Sequence, residues 1–187
     1  MKIRFQIVVC FLFLAVSQMG ASSASDWGSF KGPLKLELVG ERDGVLLENF
    51  EYEDQYGKLW IAPKNARVNG ASIPPILFSI VGSPWVGTYR HASVLHDYHC
   101  DAKMTSWQQV HRMFYNASRA AGTGAARAKL MYAAVVYFGP KWVIEDGVDG
   151  KTVFEWQNPY DEEQFRKLEK WVSKNDPSLD EIENLVR

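Results

Sequence analysis

The sequence predicts an α+β protein in which a small antiparallel sheet is followed by a bundle of about three core helices and a peripheral hairpin and helix. Three observations carry that expectation. Residues 34–61 alternate apolar and polar side chains in short runs separated by turn residues, the signature of half-buried antiparallel strands. Residues 88–138 repeat apolar side chains every three or four positions, the spacing of helices that bury one stripe. Residues 143–187 are richer in charge around a glycine-bounded acidic turn, as expected of an appendage.

The chain has 187 residues, and its start carries Lys2 and Arg4, an apolar run over residues 7–16 and small residues ending Ala21-Ser22-Ser23-Ala24. That succession of charge, apolar core and small residues reads as a secretory signal over residues 1–24. The run is too short to span a bilayer, and Cys10 lies inside it rather than after it. The expectation is an exported chain, periplasmic or secreted, with no transmembrane segment after cleavage. Residues 25–187 then form a single domain, since about 163 residues suit one core. Cleavage removes two of 21 basic residues and none of the 22 acids, which leaves a charge of about −3 and no nucleic-acid footprint. Cys100 becomes the sole cysteine, so no internal disulfide is expected; it is either packed and inert or a ligand.

Leu34, Leu36 and Leu38 alternate with Lys35 and Glu37, and Glu41-Arg42-Asp43-Gly44 turns the chain into Val45-Leu46-Leu47. A second pair, residues 50–53 and 58–61, flanks Asp54-Gln55-Tyr56-Gly57, and Pro63 is expected to end the sheet. Asn69-Gly70-Ala71-Ser72-Ile73-Pro74-Pro75 cannot be regular structure, because its prolines lack donors and restrict the residues before them. Asn69, Gly70 and Ser72 are therefore candidates for presenting backbone N–H groups to a substrate or anion, with a plain connection as the competing reading.

Residues 88–101 hold three of the four histidines on a predicted helix, and spacing places Ala92, His96, His99 and Cys100 along one face. Thr105-Ser106-Trp107-Gln108 reads as a capping box for the next helix, whose buried stripe is Trp107, Val110, Phe114, Ala117 and Ala121 with His111 on its flank. The connection at residues 102–104 is short, so the two helices are antiparallel neighbours and His111 should face His96. Residues 125–138 form a third helix between Gly124 and Gly139-Pro140. Glu145-Asp146-Gly147-Val148-Asp149-Gly150 reads as a hairpin turn rather than a calcium loop. Asn158-Pro159 opens an amphipathic helix with Phe165, Leu168 and Val172 inside, and Ser178 caps a last short one.

Trp60-Ile61-Ala62-Pro63, Asn69-Gly70-Ala71-Ser72-Ile73-Pro74, Ala92-Ser93-Val94-Leu95-His96-Asp97-Tyr98, Val110-His111-Arg112-Met113-Phe114 and Leu130-Met131-Tyr132-Ala133-Ala134-Val135 together resemble the domain-of-unknown-function family 1353 of bacteria and phages. The resemblance spans residues 50–142, with 143–187 as an extension, and implies a fold neighbourhood without an activity. This chain departs from that family's usual acid at His111, aromatic at Cys100 and Asp at Asn69. A weaker similarity is to secreted phospholipases A2, where a helical His is the general base and the next Asp holds calcium. By position it implies His96 as base, Asp97 as metal ligand and His111 as the orienting residue.

Two classes of function remain open on these residues. One is a His/Asp-dependent, metal-assisted hydrolase of lipid esters or cell-envelope substrates, using His96, Asp97 and His111. Its metal is calcium through Asp97, or zinc through Cys100 with His96 and His111. The other is a non-catalytic exported module, inhibitor-like or envelope-associated, whose partner is an exported protein or an envelope lipid and whose His-Asp pair is structural. The two differ in whether His96 sits at a cleft or is enclosed.

Overall fold

A computed structural model describes residues 26–39, 43–69, 87–147 and 150–186. The expected signal segment lies outside them, as do Gly70 and Ser72.

The strands are β1 (Ser29–Phe30), β2 (Leu36–Val39), β3 (Asp43–Leu46), β4 (Phe50–Glu53), β5 (Leu59–Ala62) and β6 (Arg67–Val68). All pair antiparallel, but as two three-stranded sheets in the orders β1-β4-β5 and β2-β3-β6 rather than one. Pro63 is not the end: Asn65 takes a positive φ of 68° and the chain returns as β6 against β3. Alternation sends Phe50, Tyr52, Trp60 and Ala62 inward, each no more than 4% exposed. Gly28 brings β1 in, because a Cβ there would lie 2.2 Å from the Glu53 carbonyl oxygen.

Helix α1 (Arg90–Ala102) ends at Lys103 in the left-handed region, and α2 (Trp107–Ala120) begins after Ser106, whose hydroxyl accepts from the Gln109 N–H. The cap is therefore Ser106, one residue after Thr105, whose hydroxyl instead reaches the Gln109 side chain. Trp107, Val110, Phe114 and Ala117 are buried as their spacing requires. Ala121 lies just past the helix as its half-buried cap. Helix α3 (Ala125–Phe138) spans the range its flanking glycines predict, and a Cβ at Gly139 would collide with the Val135 carbonyl at 2.3 Å. The core lies where α1 packs on α2, β5 and β6, and α2 packs on α3.

The extension holds a hairpin, β7 (Lys141–Gly147) and β8 (Gly150–Trp156), then α4 (Glu162–Asn175) and α5 (Leu179–Glu183). It is less peripheral than its charge suggests. Trp142 is buried and its indole N–H donates to the Thr105 carbonyl at 2.9 Å, across the α1–α2 turn. Lys141, 1% exposed, donates to the carbonyls of Tyr137 and Gly139 at the end of α3. Burial lowers its pKa to about 8, so the ammonium is still charged at neutral pH. In α4, capped by Asp161, Phe165 and Val172 are buried. In α5 a full capping box joins Ser178 and Glu181, while Glu183 turns inward to Arg112 and Tyr132. No helix among the described residues is long and apolar enough to cross a membrane.

Candidate functional site: a buried His-Cys-His cluster

The antiparallel pair α1 and α2 brings His96 and His111 together, with His96 Nε2 2.9 Å from His111 Nδ1. Cys100, one turn along α1, places Sγ 3.5 Å from the same Nε2. Neither imidazole has any exposed surface, and Cys100 is 2% exposed. Aromatic rings form the walls: Phe114 lies 4.8 Å from His96 between ring centroids, and Trp107 and Trp142 lie 5.5 and 6.5 Å from His111.

Those surroundings set the charge state. Desolvation, with His99 adding repulsion, pushes His96 down to about 3. Desolvation, His96 and Lys141 hold His111 well below its usual range, while the Pro140 carbonyl opposes them by favouring its proton. His111 Nε2 is nonetheless buried without a hydrogen-bond partner of good geometry. Both rings are neutral at physiological pH, so one of the two facing nitrogens must carry hydrogen and the other a lone pair.

The expected site residues separate into two groups. His96, His111 and Cys100 meet. Asp97, 3% exposed, points away, and its Oδ2 accepts the Asn69 backbone N–H at 2.7 Å. Neighbours on a helix differ by roughly 100° in direction, so Asp97 meets Asn69, just after β6, instead of the cluster. The carboxylate that the similarity to phospholipases A2 implied as a calcium ligand accepts a backbone N–H here and lies apart from the His96–Cys100–His111 cluster. His99 also leaves the expected face: its ring meets Trp60 of β5 edge-on at 5.1 Å, and desolvation, with Lys58 adding to it, lowers its pKa to about 4. The remaining donors are two nitrogens and a sulfur, which do not suit calcium, a cation that takes oxygen ligands.

A separate cleft of about 310 Å³ opens between β5 and α2, with Tyr56, Lys58, Trp60, Gln109, Arg112 and Met113 among its walls. Lys58 Nζ lies 3.9 Å above the Trp60 ring and 3.1 Å from Gln109 Oε1. Sequence reasoning did not select these residues. The available signal was Lys58 and Trp60 two positions apart, hence on one face of a strand.

Fold and cluster together define an α+β domain built on a His-bearing helix pair. Residues 45–135, which contain the cluster, match the family described as "Protein of unknown function (DUF1353)". Among curated proteins, the chain is 40% identical over 122 residues to uncharacterized protein y4iH of Sinorhizobium fredii, covering 64% of this chain and 51% of that protein. It is 35% identical over 150 residues to uncharacterized protein y4jT of the same organism, covering 79% of this chain and 45% of that one. The chain thus spans about half the length of these relatives. No solved structure matches.

Proposed function

We propose that the domain is a non-catalytic binding or accessory module of the exported compartment, in which the His96–Asp97 helix is a structural centre and contact with a partner is made elsewhere. The observation that carries this reading is the complete enclosure of His96 and His111, each against the other. A general base must reach the proton it abstracts directly or through one water, and it works best with a pKa near the operating pH. An imidazole held near 3 with no exposed surface meets neither condition. Asp97 is engaged with the Asn69 N–H, and a neutral His111 cannot stabilise an imidazolium as a carboxylate does.

The cleft at Trp60 supplies the contact surface this reading needs. Lys58 over the Trp60 indole, in a cleft that Asp54 also lines and where Arg112 is already paired with Asp180 and Glu183, suits a partner with one acidic group next to an apolar portion, on an envelope lipid or an exported protein. Export itself rests on the signal-like segment at residues 1–24. N-terminal sequencing should start near Ser25; finding Met1 on the functional form would remove the compartment from the proposal.

A metal-assisted hydrolase keeps one observation in its favour, since three donors leave a fourth coordination position for water. The purified protein, with and without added zinc, should be offered phospholipid esters and cell-wall peptides. No turnover is expected. Hydrolysis that is lost in His96→Ala and kept in an equally folded His91→Ala would overturn the binding reading.

A further inference from the structure

We propose that His96, Cys100 and His111 bind one zinc ion, which cross-braces α1 and α2. This inference is independent of whether the domain binds a partner or hydrolyses a substrate. Its basis is the convergence of one ligating atom from each residue, all lying within 4.8 Å of one another and all buried.

The distances fit the metal. Zinc bonds of about 2.0–2.1 Å to nitrogen and about 2.3 Å to sulfur set tetrahedral edges of about 3.3 Å between nitrogens and about 3.6 Å between nitrogen and sulfur. Two of the three separations lie near these values, 2.9 Å for His96 Nε2 to His111 Nδ1 and 3.5 Å for His96 Nε2 to Cys100 Sγ, while Sγ lies within 4.8 Å of the His111 ligand atom and 3.8 Å from His96 Nδ1, so the Cys100 side chain must also swing toward the Nε2 lone pair. Opening the histidine pair by about 0.4 Å completes that edge. Two imidazoles and a thiol select borderline-soft metals over calcium or magnesium.

The surroundings fit as well. A metal-bound histidine usually donates its other N–H to an acceptor that fixes the ring, and of the two histidines His111 carries at Nε2 a buried nitrogen short of a partner. Binding costs two rearrangements of hydrogen. The Cys100 thiol loses its proton to solvent, and the hydrogen shared by the facing nitrogens moves so that His96 carries its own on Nδ1 and His111 on Nε2. No other atom changes bonding.

The ligands are enclosed, so metal should enter during folding. The test is to unfold the purified protein in chelator and refold it with one equivalent of cobalt(II), whose spectrum reports its ligands. The expected result is a thiolate-to-cobalt band in the near ultraviolet with the visible bands of four-coordinate cobalt, displaced by one equivalent of zinc and accompanied by a rise in melting temperature. Cys100→Ser should lose the thiolate band, and His111→Gln should weaken cobalt binding by about tenfold or more. Correctly refolded protein with neither band nor thermal shift would overturn the site, as would a Cys100→Ser spectrum identical to the parent's. Should Cys100→Ser not fold, the parent's thiolate band alone decides.

Discussion

His111 and Arg112 are consecutive on α2, yet they meet burial in contrary ways. His111 packs against His96 with no exposure and gives up its charge. Arg112 reaches Glu183 at 2.7 Å and Asp180 at 2.5 Å and keeps its charge. Burial alone would lower the Arg112 pKa, but its hydrogen bonds to Asp180 and Glu183 outweigh that and hold it above the usual value. Glu183 also accepts from the buried Tyr132 hydroxyl at 2.5 Å, so one carboxylate ties α5 to both α2 and α3. The difference teaches that a neutralisable group can be enclosed among aromatic rings, whereas the always-charged Arg112 guanidinium is kept partly exposed and matched by carboxylates.

The largest effect should come from breaking the neutral side. His96→Ala removes a fully buried ring and leaves His111 Nδ1 facing a void, an expected loss of about 2–4 kcal/mol by urea unfolding of metal-free protein. Adding His111→Ala should cost clearly less than a second independent loss, because the two rings share one interaction. Full additivity would mean that the pair is not coupled.

Acid should sharpen the contrast next. His96, His99 and His111 all have folded pKa values below the ordinary 6.5, so the unfolded chain binds more protons as pH drops. Their contribution is complete above about pH 7 and is lost as pH falls from 6.5 toward 4, at about 1 kcal/mol per histidine between pH 6.5 and 5.5. His91 is lowered too, so unfolding measured across that range in metal-free protein should show the slope of four histidines, and His99→Gln should reduce it by roughly a quarter to a third. A flat profile would contradict the neutral-histidine account.

On the charged side, Glu183→Ala should cost about 2 kcal/mol, reduced from a fully buried pair because the Arg112 side chain is 37% exposed. Glu183→Gln, which still accepts from Tyr132, should cost about half as much. Equal losses for the two variants would make Tyr132, and not Arg112, the minor partner. The smallest effect should follow Asp161→Ala. It removes the side-chain cap from α4, about 1 kcal/mol, and should leave the acid slope unchanged.

The neutral cluster was legible in the sequence and the charged one was not. His96 and His111 announce themselves through helical spacing and a three-residue connection, both local facts. Glu183 sits in a charged segment of the kind that usually faces water, and its partners lie 71 and 51 residues earlier. The capping box at Ser178 and Glu181, just before it, is local and could be read. Helix α3 was readable to its ends because Gly124 and Gly139-Pro140 punctuate it. The division into two sheets was not, since β1 and β6 are two residues each and show no period. Asp97 was singled out as a ligand, but its contact with Asn69 was not foreseen. It accepts from a backbone N–H, a donor every residue except proline possesses, so no side-chain pattern marks it.

The buried Lys141 at the root of the hairpin has a consequence for how the molecule opens. Two strands alone are marginal in water, but here the first residue of the hairpin plugs the carbonyl end of α3 through Tyr137 and Gly139. Peeling β7 away withdraws that ammonium and exposes those carbonyls, while Trp142 lets go of the α1–α2 turn. Amide protons of the hairpin root and the last turn of α3 should therefore exchange with solvent together, as one cooperative unit, while those near the hairpin tip exchange earlier and on their own.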